Sequence, residues 1–258
     1  MQSFSLIFSF ILGNIIGSFL NVVSLRYNTG LTFGGRSKCF SCEKKLGWTE
    51  LIPVFSFLFL RGKCKKCQSR ISWQYPLVEI LSGLLFLLIF IKFPPLDLNS
   101  SFITLFYLFI TCVLIVITVY DIKHKIIPDQ LVYMFSFVAL ARLFIGPNFS
   151  FLFPSWSALL AGPILALPFA FLFLFSKGTW MGLGDAKLVL GIGWTLGLID
   201  GISAVILAFW VGAIVSVVWM YIVFRKFKAR LEIPFGPYLI FGMYLVLLFG
   251  IKIIEWPI

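Results

Sequence analysis

The sequence predicts an all-α polytopic membrane protein of about eight transmembrane helices, with one small four-cysteine loop domain on its cytoplasmic side. Three observations predict it. The 258-residue chain is 60% hydrophobic and only 12% charged, with a mean hydropathy of +1.04, whereas soluble globular domains carry about 25% charged residues. Its apolar residues gather into runs close to the roughly 20 residues that a spanning helix needs. The 18 Lys and Arg at 26–70, 123–125, 177–187 and 225–230 fall on one side of those runs, leaving Lys92, Arg142 and Lys252 for the other. A net charge of +11 therefore reads as the positive-inside signature, not as a nucleic-acid surface, and no nucleic-acid partner is expected.

The eight predicted spans are 4–25, 76–93, 102–120, 126–145, 156–176, 185–200, 202–224 and 236–254. They divide the chain into a first transmembrane helix (1–25), a polar loop domain (26–75) and a seven-helix membrane domain (76–258). The first run does not read as a cleaved signal peptide: no basic residue precedes Arg26, and the run is too long for an h-region. Basic residues after it and none before it predict an N-terminus outside the cytoplasm. Within this helix Gly13 and Gly17 form a small-xxx-small pair, and Asn14, Ser18 and Asn21 recur at helical spacing. That face suits helix packing, with amides hydrogen-bonding across it.

The loop that follows holds Cys39 and Cys42 in CFSC, and Cys64 and Cys67 in CKKC, with 21 residues between the pairs. Two CxxC knuckles at this spacing resemble a four-thiolate, zinc-ribbon-like site. Two disulfides or a redox CxxC are the alternatives, and a reducing cytosol disfavours both. Four protein ligands leave no open position for water, so the zinc is expected to be structural and to staple a loop too small to fold alone. The apolar stretch 51–60 is too short to span and is expected to pack under the knuckles or lie in the interface. Cys112 falls mid-span and reads as a small buried apolar residue. YPLVE (75–79) opens the second span. Glu79, expected in its first turn, is either a residue the helix dipole favours or a carboxylate that meets a cationic substrate.

The third span ends in TVYDIKHKIIPD (118–129). Asp129 follows Pro128 at the start of the fourth span, where the dipole favours it. Asp121 closes the third, where the dipole opposes it, so it has no structural rationale. His124 reads as a solvated loop residue. In GLGDAKL (182–188), 64 residues after Asp121, Asp185 opens the sixth span. Gly182 and Gly184 permit tight turns before it. An N-cap role would explain Asp185 structurally, although Lys187 in the same turn is unfavourable for a helix start. Two spans separate Asp121 from Asp185, so parity places both on one face. PFGP (234–237) breaks the backbone before the eighth span on that same face.

Taken together, these motifs resemble the type IV prepilin peptidases, bifunctional leader peptidases and N-methyltransferases of the membrane aspartic type. The resemblance covers nearly the whole chain: GSFLNVV (17–23), the two CxxC knuckles, RGKCKKC (61–67), YPLVE, D-x6-PD (121–129), GxGDxK (182–187) and PFGPYL (234–239). TWMGLGD departs from the more glycine-rich form of many members. The resemblance implies that Asp121 and Asp185 are the catalytic pair. It implies cleavage of the basic leader of prepilins and pseudopilins after a glycine. It further implies methylation of the new N-terminal amine, with S-adenosylmethionine as donor. Gly182, Gly184, Lys187 and Glu79 stand as substrate-binding residues. A carboxylate pair suits amide hydrolysis because one member activates water while the other protonates the leaving nitrogen. The expected location is the bacterial inner membrane with the site at its cytoplasmic mouth. The remaining Lys and Arg would then serve topology and anionic lipids. Glu79, with Glu43 or Glu50, is expected to attract the basic leader. The other reading is a transporter or assembly scaffold, but neither aspartate lies mid-bilayer, where a transport site is expected.

Overall fold

Each of the eight predicted apolar segments forms a helix in the computed structural model, which describes residues 2–30, 32, 34–224 and 233–254. The helices are α1 (Gln2–Arg26), a short α2 (Phe55–Phe59), α3 (Gln74–Lys92), α4 (Leu98–His124), α5 (Asp129–Leu143), α6 (Trp156–Ser176), α7 (Leu183–Leu196), α8 (Leu198–Phe224) and α9 (Gly236–Phe249). Among the described residues the only β features are three isolated bridges. The basic run RKFKAR (225–230) lies outside the described residues.

Among the described residues five helices, α1, α3, α4, α6 and α8, are long and apolar enough to cross a membrane. The other three are shorter than their segments promised. With 15, 14 and 14 residues, α5, α7 and α9 extend about 21 to 23 Å at ~1.5 Å per residue, against a hydrocarbon core of about 30 Å. Turn residues cut them short. α5 begins only after Pro128, α7 lies between Gly182 and Gly197 (φ +83°), and α9 ends at Gly250 (φ +65°).

The chain forms two compact units, Met1–Val116 and Ile117–Ile258. In the first, α1 packs along α3. The polar face of α1 is the packing face: a Cβ on Gly13 would lie 2.7 Å from the Ser82 carbonyl oxygen, and one on Gly17 would lie 2.7 Å from Ser82 Oγ. Asn21 donates to the Gly17 and Tyr75 carbonyls, tying α1 to the start of α3. At the far end of α3, Phe93 stacks on Tyr107 of α4 with ring centroids 4.3 Å apart.

In the second unit α7 packs against α5, α6, α8 and α9, with Leu188, Val189 and Ile192 fully buried. Glycines let its neighbours in. A Cβ on Gly193 would lie 2.7 Å from the Ala161 carbonyl oxygen and 2.7 Å from Gly162 Cα, backbone atoms of α6 that cannot rotate away. Gly193→Val is therefore expected to cost about 3 kcal/mol or more, because overpacked rigid cores pay in backbone displacement. Thermal unfolding of the detergent-solubilised protein checks this, and an unchanged midpoint would contradict the packing.

Candidate active site and metal centre

α4 ends on its own terms. The Lys125 N–H donates to the Asp121 carbonyl at 2.7 Å, and Lys125 takes a left-handed conformation (φ +57°) that stops the helix. Asp121 thus sits inside the last turn of α4, three residues before its end at His124, whereas the expected span closed at 120. On α7 the N-cap is Gly182, not Asp185. The Asp185 N–H donates to the Gly182 carbonyl at 3.2 Å, which places Asp185 inside the first turn. The capping explanation for Asp185 falls with that geometry.

Both carboxylates are nearly closed to solvent, Asp121 at 3% exposure and Asp185 at 8%. A charge in such a place is costly unless something needs it. The second unit brings the two segments together through one side chain, Ile127, in the loop after α4. A Cβ on Gly184 would lie 2.8 Å from Ile127 Cβ, and one on Gly236 would lie 3.2 Å from Ile127 Cδ1. Gly184 precedes Asp185, while the Gly236 N–H donates to Asp121 Oδ2 at 3.1 Å. Asp185 lies within electrostatic reach of Asp121. Two buried carboxylates that feel each other's charge cannot both ionise easily, which is the condition for acid and base roles.

The remaining predicted residues divide. Lys187 pairs with Asp129 at 2.7 Å and lies 4.9 Å from the Tyr133 ring centroid. The lysine that looked misplaced in a helix start is answered by the aspartate that opens α5. Gly182 caps α7, and Gly184 makes room for Ile127. The sequence marks Gly236 only as part of a backbone break, and its visible signal is a glycine between two prolines at a helix start.

Glu79 belongs to the first unit. It stands in the second turn of α3, not the first, so the dipole explanation weakens. It is 6% exposed, and its Oε2 accepts the Val54 N–H at 2.7 Å. Val54 is a β-branched residue at φ +62°, a conformation that persists only where surroundings hold it. Glu50, the second acidic candidate, is already committed to Lys44 at 2.8 Å and to the Gly47 N–H. The Lys44 ammonium holds its carboxyl below the usual carboxylate range.

The four cysteines converge. Their sulfur atoms all lie within 4.8 Å of one another, so Cys39, Cys42, Cys64 and Cys67 could hold a metal ion. The two knuckles repeat each other's fold. The Cys39 N–H donates to the Lys44 carbonyl and the Glu43 N–H to the Cys39 carbonyl. The Cys64 N–H donates to the Ser69 carbonyl and the Gln68 N–H to the Cys64 carbonyl. Bridges between Lys38 and Lys45 and between Lys63 and Arg70 close them. Glu43 and Gln68, at φ +53° and +58°, make the same turn in each. Ser69 lies 3.1 Å from Cys67 Sγ and 3.6 Å from Cys39 Sγ. Its hydroxyl brings the Cys39 thiol down to about 6 and lowers Cys67 too. The Lys44 N–H favours the Cys42 thiolate, but burial and the three neighbouring sulfurs outweigh it and push that thiol up to about 11. The apolar stretch beside the knuckles forms α2, whose Phe57 is buried with its ring centroid 4.8 Å from that of Trp73.

Two family models match the chain. One, described as the bacterial peptidase A24 N-terminal domain, matches residues 11–93. The other, described as the type IV leader peptidase family, matches residues 108–217. The cysteines and Glu79 fall in the first match, both buried aspartates in the second, and Gly236 in neither. Similar curated proteins carry the name prepilin leader peptidase/N-methyltransferase. That of Bacillus subtilis (strain 168) is 35% identical over 96% of each chain. That of Aeromonas hydrophila is 33% identical over 98% of this chain and 93% of its own. That of Neisseria gonorrhoeae is 31% identical over 92% and 88%. No solved structure matches.

Proposed function

Because the chain belongs to the type IV leader peptidase family, a family of membrane enzymes, we propose that it is the peptidase that removes the basic leader of prepilins or pseudopilins. Asp121 and Asp185 form the catalytic pair and cut after a glycine. The new N-terminal amine is then methylated, with S-adenosylmethionine as co-substrate. The observation that carries this reading is the convergence of two carboxylates, 64 residues apart and both under 10% exposed, within one compact unit.

Eight spans with the N-terminus outside would place this pair at the cytoplasmic mouth of the bacterial inner membrane. The substrate suits that position, because a prepilin keeps its basic leader in the cytoplasm and its apolar helix in the bilayer. In the reaction one carboxylate takes a proton from water as its oxygen attacks the scissile carbonyl. The other, protonated, gives its proton to the leaving nitrogen as the C–N bond breaks. Burial excludes competing water and fixes both groups before the substrate arrives. Separate Asp121→Asn and Asp185→Asn variants, assayed for cleavage of a purified prepilin, test the pair. A wild-type rate in either overturns it.

The four cysteines hold a structural zinc ion. A tetrahedral ion with Zn–S bonds of about 2.3 Å separates its sulfurs by about 3.8 Å, and Cys39 Sγ and Cys67 Sγ lie 3.8 Å apart. Zinc would cross-link two knuckles and supply no catalytic step. Methyl transfer is assigned to no residue, since among the described residues there is no strand to carry a glycine-rich nucleotide cradle. The basic loop surface faces anionic lipid headgroups and secures topology.

Glu79 is the carboxylate that draws the basic leader toward a face otherwise rich in Lys and Arg. Glu79→Gln removes the charge and keeps one acceptor oxygen for the Val54 N–H, though its amide NH2 replaces the other oxygen of a carboxylate that also serves Ser18. It is expected to raise the prepilin KM about three- to tenfold with kcat unchanged, as for a charge that steers a partner. Glu79→Lys should raise it further. Unchanged kinetics in Glu79→Gln would leave Glu79 as a clamp on the Val54 turn alone.

A further inference from the structure

Asp121 poses a local electrostatic problem. It stands in the last turn of α4, where the helix dipole opposes a negative charge, and it is nearly closed to water. The head of α9 answers it. Helix N-termini present N–H groups with no partner inside the helix, and the Gly236 N–H, at the first residue of α9, donates to Asp121 Oδ2 at 3.1 Å. A side chain at this position would have to displace the Asp121 carboxylate. A Cβ there would lie 2.7 Å from Asp121 Oδ2 and 3.2 Å from Ile127 Cδ1. Pro234 and Pro237 flank it, so the backbone on either side of the donor is restricted. Ile127 then sets the spacing, because it lies against Gly236 on one side and Gly184, the neighbour of Asp185, on the other.

We infer that Gly236 is a positioning residue of the peptidase. Its backbone N–H fixes the rotation of the Asp121 carboxylate, and the PFGP turn (234–237) is a third element of the site beside the two aspartate segments. This rests on the reading that Asp121 and Asp185 are the catalytic pair. A carboxylate free to rotate about its Cβ–Cγ bond meets water in the reactive geometry only part of the time. A single fixed donor removes that freedom before the substrate binds.

The test is an amide-to-ester replacement at residue 236 in the full-length protein, introducing glycolic acid in place of glycine. It deletes the N–H and adds no atom beyond the oxygen that replaces it. The ester is expected to lower kcat for prepilin cleavage about 10- to 100-fold, the scale for one preorganised donor to a charged acceptor. KM should stay within about twofold, and the unfolding temperature should not move. Gly236→Ala, which displaces Asp121 by steric contact, is expected to lower kcat about 100-fold in the same way. Should that variant fold poorly, the ester carries the test alone. Wild-type kcat in the ester overturns the inference, and so does a change confined to KM, which would make Gly236 a substrate-binding group. Asp121→Asn and Asp185→Asn are assayed alongside. If they lose cleavage while the ester does not, the positioning role fails and the pair stands. If either of them cleaves normally, the pair itself is wrong.

Discussion

Asp121→Asn and Asp185→Asn are each expected to lower the rate of leader cleavage by about three orders of magnitude or more, with binding of uncleaved prepilin retained. Asparagine keeps the size of the side chain and still accepts the Gly236 N–H, so the packing around Ile127 survives. What it cannot do is take or hold the proton that moves between water and the leaving nitrogen. The double variant should be scarcely worse than either single one, because the two groups act as a unit and the first loss already stops proton transfer. Asp129→Asn supplies the contrast. Its side chain is 61% exposed and its ion pair with Lys187 faces solvent, so the expected loss is less than about tenfold. Initial rates on one purified prepilin, with binding measured separately, give all four comparisons. A single Asn variant with the wild-type rate removes the dyad.

Much of this site could be read from residue types and span parity alone. A carboxylate at the C-terminal end of an apolar helix is disfavoured by the dipole and by the bilayer, so Asp121 stands out in the sequence. Parity over the expected spans then predicts that Asp185 returns to the same face. What could not be read was the local geometry that makes the pair. The start of α7 depends on whether Gly182 or Asp185 caps it, and both are acceptable caps. Lys187 looked unfavourable in a helix start because its partner, Asp129, is 58 positions away and hydropathy carries no pairing signal. Gly236 acts through its backbone, and a backbone donor has no side-chain signature beyond the prolines around it.

Helix lengths show a second limit. Hydropathy marks where apolar residues begin and end, whereas a helix stops where the backbone turns. Gly197 and Gly250 adopt positive φ inside or just before residues that remain apolar, so α7 and α9 end before their segments do. The four-cysteine loop was legible for the opposite reason. Each ligand pair is local, and a CxxC spacing fixes the turn almost by itself, which is why the knuckles around Cys39 and Cys64 repeat the same hydrogen bonds.

That loop has little else to hold it, and removing its metal is expected to have the second large effect. Between residues 34 and 73 the only buried apolar side chains are Phe57 and Cys64. A core this small does not offset the entropy of ordering some forty residues. Structural zinc in small peptides contributes about 10 to 16 kcal/mol at neutral pH, most of it folding free energy, so the loop should be ordered with the ion and disordered without it. The purified protein is expected to carry about one zinc per chain, its four ligand thiols shielded from alkylation until a strong chelator is added. Cys64→Ser should lose the ion and open this loop to protease while the membrane helices stay protected. Acid should release the metal as well, since protons compete for thiolate ligands and affinity falls as pH falls. Two disulfides would behave differently, because a reductant without chelator would then expose the thiols. Shielded thiols in a metal-free protein, or a protease-resistant loop in Cys64→Ser, would mean that something other than zinc holds the two knuckles together.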